Sequence, residues 1–517
     1  MQFLIDIILI LIYLVGFFLL CAWAWRFWKM YVNQKFLQKF NDDSIMLEIK
    51  LPREITKSPL ATEIAIASLL QGGGISTWYA REFQGNLPLY ASLEIASLEG
   101  VIHFYVRINK KFKSLVESNF YAQYPGIEIV EADDYTKKIR YHHLSKDVSV
   151  WGINYRLGEK WSPTDPKTGK PYQKKDGNYK MPADFFPIKT YVDYGLDKES
   201  KEELKTDPIT PLLEFMGSIG KGEYYWYQIL IQDESVYNKK MPKFYVNEVT
   251  HEHLSLSEMA DARKKQIRST ISGLKHGDIV YDDYGYEKTR KVPDGVDENG
   301  KVKFKEIPLT HNLKDSKGNI LPPKSVSKKE IELTPEEKEQ LEAINKKLSK
   351  PLACVVVRII YVAKKENSSR FGEHVQNTLS YPKSYAGVNS LSPVSVTDPY
   401  DYPWEKMGGK RPAWRAEEKF EEYVEREGFF PHIPQRAALD SWEDLFFWGS
   451  SMKTRKTFRM IYEAIFYPFN HPKPEHVSIL NLEEIASLWH LPGAVAGVPT
   501  LPRIDSNKGV APVNLPQ

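Results

Sequence analysis

From Ile7 to Trp25 the chain reads IILILIYLVGFFLLCAWAW, without one charged residue. A helix needs roughly 20 apolar residues to cross the hydrocarbon core of a bilayer. A segment apolar on every side must be buried all round or leave water altogether, so this run constrains the fold more than anything downstream. Asp6 precedes it, and Arg26, Lys29, Lys35 and Lys39 follow it. Trp23, Trp25, Arg26, Trp28 and Lys29 make the aromatic and basic boundary expected where a membrane meets water. A cleaved signal peptide carries positive charge ahead of its apolar core and small residues behind it; this run has neither. Cys21 follows Leu20, where a lipoprotein site wants a small residue. The expectation is a single-pass transmembrane anchor with its juxtamembrane helix over residues 1–40. Lys and Arg on the C-terminal side put the N-terminus outside and the body in the cytoplasm.

At 517 residues the chain exceeds one ordinary core, and two to four domains are expected. With 42% hydrophobic and 26% charged residues, most of it should fold. Lys plus Arg number 70 against 67 for Asp plus Glu, a net charge of +3, which is no footprint of polyanion binding. The two cysteines, Cys21 and Cys354, cannot make a disulfide framework.

The body begins with a legible order. IMLEIKLP (Ile45–Pro52) alternates like a strand. Ser58 and Pro59 open a helix that QGGG (Gln71–Gly74) closes. LYASLEIASLEG and VIHFYVRIN are strands joined at Glu99–Gly100, a hairpin signal. A helix stopped by Pro125 and the strand GIEIVEADDY follow. This β-α-β-β-α-β order predicts a ferredoxin-like (split βαβ) unit over residues 45–136. Residues 137–181, polar and rich in Pro, Gly and Lys, read as an insertion or linker. A second α+β unit is expected over 182–395, interrupted by a polar insertion at about 251–330. It contains EYYWYQILIQ, the helix LTPEEKEQLEAINKKLSKP with a Thr334/Glu337 capping box, and LACVVVRIIYVAKK, apolar on both faces and therefore a central strand. Its order echoes the first unit without a residue-level repeat. Residues 396–492 read as a helical, aromatic-rich part, and 493–517 as an extended Pro-rich tail. Within NLEEIASLWHLP, Asn481 and Glu484 have capping-box spacing, and Ile485, Leu488 and Trp489 share one face.

Chemistry-bearing motifs are scarce. The pattern G-x-x-x-x-G-K-[ST] does not occur. Gly217–Gly222 and Gly408–Lys410 lack its spacing and its hydroxyl residue, and Gly72–Gly74 ends a helix where a phosphate cradle would open one. His142–His143 and His251-Glu252-His253 are the close histidine pairs; neither has helical zinc-site spacing or a nearby cysteine. No catalytic, cofactor or metal residue is expected, and the chain does not read as an enzyme.

Several blocks nonetheless carry a resemblance. They are KLPREITKSPLATE, SLEIASLEGVIHFYVRINKKFKSLVESNFYAQYPGIEIVEADDY, PIKTYVDYGLDKESKEELKTDPITPLLEFMGSI, YYWYQILIQ, VRIIYVAKK, YDYPWE and LNLEEIASLWHLPG…VPTLPRIDSNKGVAPVNLP. In this order the chain resembles the region that precedes the HerA/FtsK-like motor domain in membrane-anchored type IV secretion or conjugation-type proteins of bacteria. In that family the closing P-x-N-L-P leads into a strand and the Walker-bearing ATPase, whose residues this sequence lacks. The resemblance implies a non-enzymatic adaptor of the bacterial cytoplasmic membrane, working beside a HerA/FtsK-type ATPase on a separate chain or beyond a truncation, and touching DNA only indirectly. Val498, Pro499, Pro502, Pro512 and Pro516 are then candidates for the partner-facing strap. Two rival expectations are a self-assembling homo-oligomeric component of the cell envelope and an uncharacterised membrane-bound enzyme.

Overall fold

The computed structural model describes the chain from residue 2, apart from residues 53–54, 56, 71–76, 166–170, 175–176, 199–205, 240–242, 273–278, 282–286, 297–301, 309–333, 398–409, 430–457, 459–460, 463–464, 466–476, 494–500 and 505–517. It divides into two compact units. The larger holds residues 1–159, 182–243 and 348–517; the smaller holds 160–181 and 244–347.

Helix α1 (Gln2–Asp42) opens the larger unit. Among the described residues it is the one helix long and apolar enough to cross a membrane. The chain continues through β1 (Ser44–Pro52), α2 (Pro59–Ala67), α3 (Trp78–Glu82), β2 (Ala91–Leu98), β3 (Val101–Asn109), α4 (Lys113–Gln123) and β4 (Glu128–Ala132). Then come β5 (Val148–Leu157), α5 (Thr210–Gly217), β6 (Glu223–Asp233), β7 (Leu352–Lys364), α6 (Phe371–Ser380) and β8 (Leu391–Val396). The unit closes with α7 (Lys410–Val424), β9 (Ser478–Asn481), α8 (Leu482–Leu488) and β10 (Arg503–Ile504).

These strands make one sheet in the order β8–β5–β7–β6–β2–β3–β1–β10, with β4 also on β1 and β9 also on β7. Every pairing is antiparallel except β1 with β10. The order hides a repeat. The run β1-α2-β2-β3-α4-β4 is laid out as β4–β1–β3–β2, and the run β5-α5-β6-β7-α6-β8 as β8–β5–β7–β6. Equivalent strands take equivalent places, and the halves join through β2 and β6, paired from Tyr224↔Leu98 to Ile231↔Ala91.

One expectation needs correction at this point. Residues 137–181, read as an insertion, contain β5, which founds the second half. Trp151, Ile153 and Tyr155 are buried, and β5 pairs with β7 from Val148↔Lys364 to Tyr155↔Val357. Its flanks are polar enough to mask its alternation.

The sheet is covered on both faces. Tyr225, Tyr227, Ile229 and Ile231 of β6 and Val355, Val357, Ile359 and Tyr361 of β7 enter one core with α2, α4, α5 and α8. Alternate residues Trp226, Ile360 and Val362 enter a second core under Ala416, Phe420 and Tyr423 of α7. Strands buried on both faces lose the polar alternation, which is why β6 and β7 read as continuous apolar runs. The β2–β3 turn uses Glu99 (φ 55) and Gly100 (φ 91), a left-handed pair suited to the twist of a two-residue hairpin. A Cβ on Gly100 would lie 2.6 Å from the Ile219 carbonyl oxygen. In α8 the Asn481/Glu484 capping box forms reciprocally, and Ile485, Leu488 and Trp489 are fully buried.

The smaller unit holds a three-stranded antiparallel sheet (Ile279–Tyr281, Glu287–Val296, Val302–Pro308) and the helices Leu256–Ser272 and Pro335–Leu348. Thr334 and Glu337 cap the second helix reciprocally, at 3.1 and 3.2 Å. Arg263 Nη2 on the first donates to Gln340 Oε1 on the second at 2.9 Å. The aromatic-rich expectation for residues 396–492 falls largely outside the described residues.

Candidate functional site

The junction between α1 and the body is built without a joint. At 1.5 Å per residue α1 is about 60 Å long, twice a bilayer's hydrocarbon thickness. Its apolar first half is exposed, while Val32 and Phe40 further on are buried. Phe40 packs on Tyr90 with ring centroids 4.8 Å apart. Asn41 Oδ1 accepts from Arg107 Nη2 at 3.1 Å. Only Asp43 separates α1 from β1, and its carbonyl accepts from Lys110 N at 2.8 Å.

A short segment braces the helix further up. Thr77 caps α3 by accepting from Ala80 N at 3.1 Å. Phe83 meets Trp25 edge-on at 5.0 Å, Glu82 pairs with Lys29 at 2.7 Å, and Gly85 lies under Val32. Positions 25, 29 and 32 form one stripe of α1, because residues four and seven apart share a helix face. Of the expected interface residues, Trp25 and Lys29 therefore serve this brace. Trp28 is exposed beside Tyr31, Arg26 is half-buried, and Trp23 Nε1 donates to the Ile465 carbonyl at 3.0 Å.

The tail residue Pro502 is exposed beside β10, where Arg503 Nη1 donates to the Pro52 carbonyl at 3.1 Å. Val498, Pro499, Pro512 and Pro516 lie outside the described residues.

A row of polar side chains crosses the face of the sheet under α7. Asn154, Arg358, Gln228, Glu94, Tyr105 and Glu48 are direct register partners across β5, β7, β6, β2, β3 and β1. Glu94 is wholly buried. It accepts from Arg426 Nε and Nη2 at 3.0 and 3.2 Å, from Tyr135 Oη at 2.7 Å, from Gln228 Nε2 at 3.0 Å and from Ser92 Oγ. Arg426 also holds Asp134 at 2.6 and 3.0 Å. Burial would raise both carboxyls, but the Arg426 guanidinium and the hydrogen bonds override it and hold both below their ordinary range. Arg358 donates to the Glu422 carbonyl at 2.6 Å and to the Glu427 carbonyl. Cations thus meet the negative end of α7, where the helix dipole favours them.

A third cluster joins distant segments. His143 Nδ1 is 2.6 Å from Glu417 Oε2 on α7, and His142 Nε2 is 3.7 Å from Glu417 Oε1. Two histidines and a carboxylate this close could in principle hold a metal ion. However, His142 Nδ1 accepts the Leu144 N–H at 3.2 Å. A neutral ring that accepts at Nδ1 carries its proton on Nε2, the nitrogen facing Glu417. The trio is therefore arranged with His143 bonded to a buried carboxylate and His142 Nε2 facing it from beyond hydrogen-bond reach, a tether between residues 142–143 and α7.

Comparison with protein-family models, with curated proteins and with solved structures finds no match.

Chemically, the buried charges are spent on one another. Glu94 has no lone pair left to take a proton, because its donors saturate both oxygens. A pocket between α4 and β2 is lined mainly by apolar side chains, Leu69, Leu89, Ile108, Phe112 and Val116 among them, together with Ser68 and Asn109, whose side chains are bonded to the backbone at Ala65 and Lys111. What faces outward is the exposed length of α1 and its brace. Sequence reasoning missed the Glu94–Arg426–Asp134 network and Glu417. One signal was available: Glu94 sits inside the apolar strand LYASLEIASL, where an acid demands a buried cation.

Proposed function

We propose that this chain is a non-enzymatic, membrane-anchored adaptor that holds an α+β platform at a fixed height and angle above a bilayer. One observation carries the proposal: α1 passes from its exposed apolar run into the core of the body, with one residue between it and β1. A tether built for mere retention would end in a flexible linker. A ferredoxin-like reading of both halves is supported by their shared strand order, in which the first and third strands of each half are central. Arg26 and Lys29 against Asp6 favour a body in the bacterial cytoplasm. The resemblance of the sequence blocks names the partner class, a HerA/FtsK-type ATPase of a type IV secretion- or conjugation-like machine, with Val498–Gln517 as the strap toward it.

The test is recovery of the tagged full-length chain from membranes, followed by mass spectrometry. Co-purification of a P-loop ATPase is the expected result, reduced on deletion of residues 505–517. A ring of this chain alone would favour the self-assembling alternative. ATP hydrolysis by the purified chain, abolished by a point change within it, would overturn the adaptor reading.

A further inference from the structure

The brace on α1 presents aromatic rings that the fold does not use. Trp78 is 63% exposed and Tyr79 57% exposed, side by side on the short helix α3. Trp78 meets Phe83 edge-on and Tyr79 stacks on it, with centroids 5.4 and 5.2 Å away, and Phe83 meets Trp25 at 5.0 Å. Trp25 is the last residue of the charge-free run, the level at which a spanning helix leaves the hydrocarbon. Trp78 and Tyr79 are therefore held two ring contacts from the point where α1 crosses the surface.

We propose that Trp78, Tyr79 and Phe83 form a second contact with the membrane, lying in the headgroup layer of the bilayer that α1 spans. This rests on the reading of α1 as a membrane span and adds a site to it. The chemistry fits. Tryptophan and tyrosine have an apolar body and a polar edge, and they concentrate where headgroups meet acyl chains. Arg26 on α1 puts a cation at the same level, suited to lipid phosphates, while Lys29 and Arg81 are both paired with Glu82. The patch is continuous with the apolar surface of α1, which distinguishes it from exposed hydrophobics scattered singly over a protein surface.

The contact is also rigid. The Lys29–Glu82 ion pair and the close approach of Gly85 to Val32 fix the segment along α1. A helix and a separate aromatic patch give two points of attachment. The body could then neither spin about α1 nor tilt freely, which is what a platform presenting a surface to a partner requires.

The experiment uses the full chain in nanodiscs of phosphatidylcholine and phosphatidylglycerol, with Cys21 and Cys354 replaced by serine. Single cysteines at Phe18, Tyr79 and Val394 carry an environment-sensitive fluorophore. Nitroxides are placed on the lipid headgroup or deep in the acyl chain. The label at Phe18 should be quenched most by the deep nitroxide and the label at Tyr79 most by the headgroup nitroxide. The label at Val394, on the edge strand β8, should be quenched by neither. The double substitution Trp78→Ser, Tyr79→Ser should cut headgroup quenching of a label at Gln84 several-fold. Quenching at Phe18 with none at Tyr79 overturns the second contact and leaves the anchor standing. No quenching at Phe18 removes the membrane reading itself, and this proposal with it.

Discussion

Arg426 grips Glu94 as a fork: Nε stands 3.0 Å from one carboxylate oxygen and Nη2 stands 3.2 Å from the other, between residues 332 positions apart. The same guanidinium holds Asp134, so two acids distant in sequence share one cation. It lies just past the end of α7, at φ 53, and ties that end of the helix to the sheet. Removing it leaves two carboxylates without a cation, one wholly buried, and breaking a buried pair from one side costs about 3–5 kcal/mol. Arg426→Ala should lose stability of that order in urea unfolding of the detergent-solubilised chain. Arg426→Lys should recover only part, because an ammonium cannot span both oxygens of Glu94 and reach Asp134. Adding Glu94→Gln to Arg426→Ala should restore some of the loss. Full stability of Arg426→Ala would show that the network does not hold α7.

A second charged pair gives stability a dependence on pH from both sides. His490 is buried just beyond α8, with Nδ1 2.8 Å from the Ala486 carbonyl and Nε2 3.0 Å from Asp207 Oδ2. Burial pushes the imidazole down, but the Asp207 carboxylate and the carbonyls push it above its ordinary value of 6.5. Asp207 is pushed up by burial, but His490 and the Ile209 N–H together outweigh this and hold it below its ordinary 3.8. A raised histidine contributes fully below its unfolded value, and that contribution fades as pH climbs through the folded one. A lowered aspartate contributes above its unfolded value and loses that contribution as pH falls through the folded one. The pair should therefore stabilise most between the two ordinary values, and His490→Gln should flatten the decline above pH 6.5. Unfolding free energies of both proteins from pH 4 to pH 9 check this. An unchanged alkaline slope in the variant would reject it.

How far the sequence foretold this fold depended on the range of each interaction. Local signals were readable. The caps at Asn481 and Thr334, the Ser58–Pro59 start, the Glu99–Gly100 hairpin and the apolar runs of β6 and β7 concern residues a few positions apart. Long-range pairings were not. β5 hides in a polar neighbourhood because its own length carries the pattern and its flanks do not. Arg358 in the middle of β7 looks like a break in an apolar run until the carbonyls of Glu422 and Glu427 are brought over it. Glu417 could not be matched to His143 from 274 residues away. The brace on α1 was hidden for the same reason: nothing in the order of residues places Phe83 on Trp25.

That brace turns on one glycine. Gly85 sits at φ +68, and a Cβ there would come within 2.5 Å of the Val32 carbonyl carbon and 2.7 Å of Asn33 N. Those atoms belong to α1 and cannot step aside. Gly195 has nearly the same φ, +69, with nothing within 4 Å. Gly195→Ala should show the backbone strain alone, about 1–2 kcal/mol. Gly85→Ala should cost more and speed amide hydrogen exchange over residues 77–90, as the segment lifts from α1. Equal costs for the two substitutions would mean that the close approach is not a constraint.

The repeat within the large sheet makes the last prediction. In the first half, β2 and β3 are joined by two residues, Glu99 and Gly100. In the second half the equivalent β6–β7 connection holds residues 234–351, most of them in the smaller unit. The ends of this connection nevertheless remain a hairpin: Asp233 is the register partner of Ala353, and Glu234 N donates to the Leu352 carbonyl at 3.3 Å. The other excursion, residues 160–182, also leaves from and returns to touching points, with Ala183 N donating to the Glu159 carbonyl at 2.9 Å. Insertions of this kind are tolerated because the host's pairing fixes the ends. Replacing 160–182 by a short Gly-Ser turn and 244–347 by a Gly-Ser linker of several residues should thus leave the sheet intact. Closure of the longer loop would even become easier, by about 1.5 kcal/mol for some two and a half halvings at about 0.6 kcal/mol each. The shortened chain should unfold in one cooperative step by tryptophan fluorescence, and its far-ultraviolet circular dichroism should keep the sheet signal. A chain that loses cooperative unfolding would show that the second half cannot form without its inserted unit.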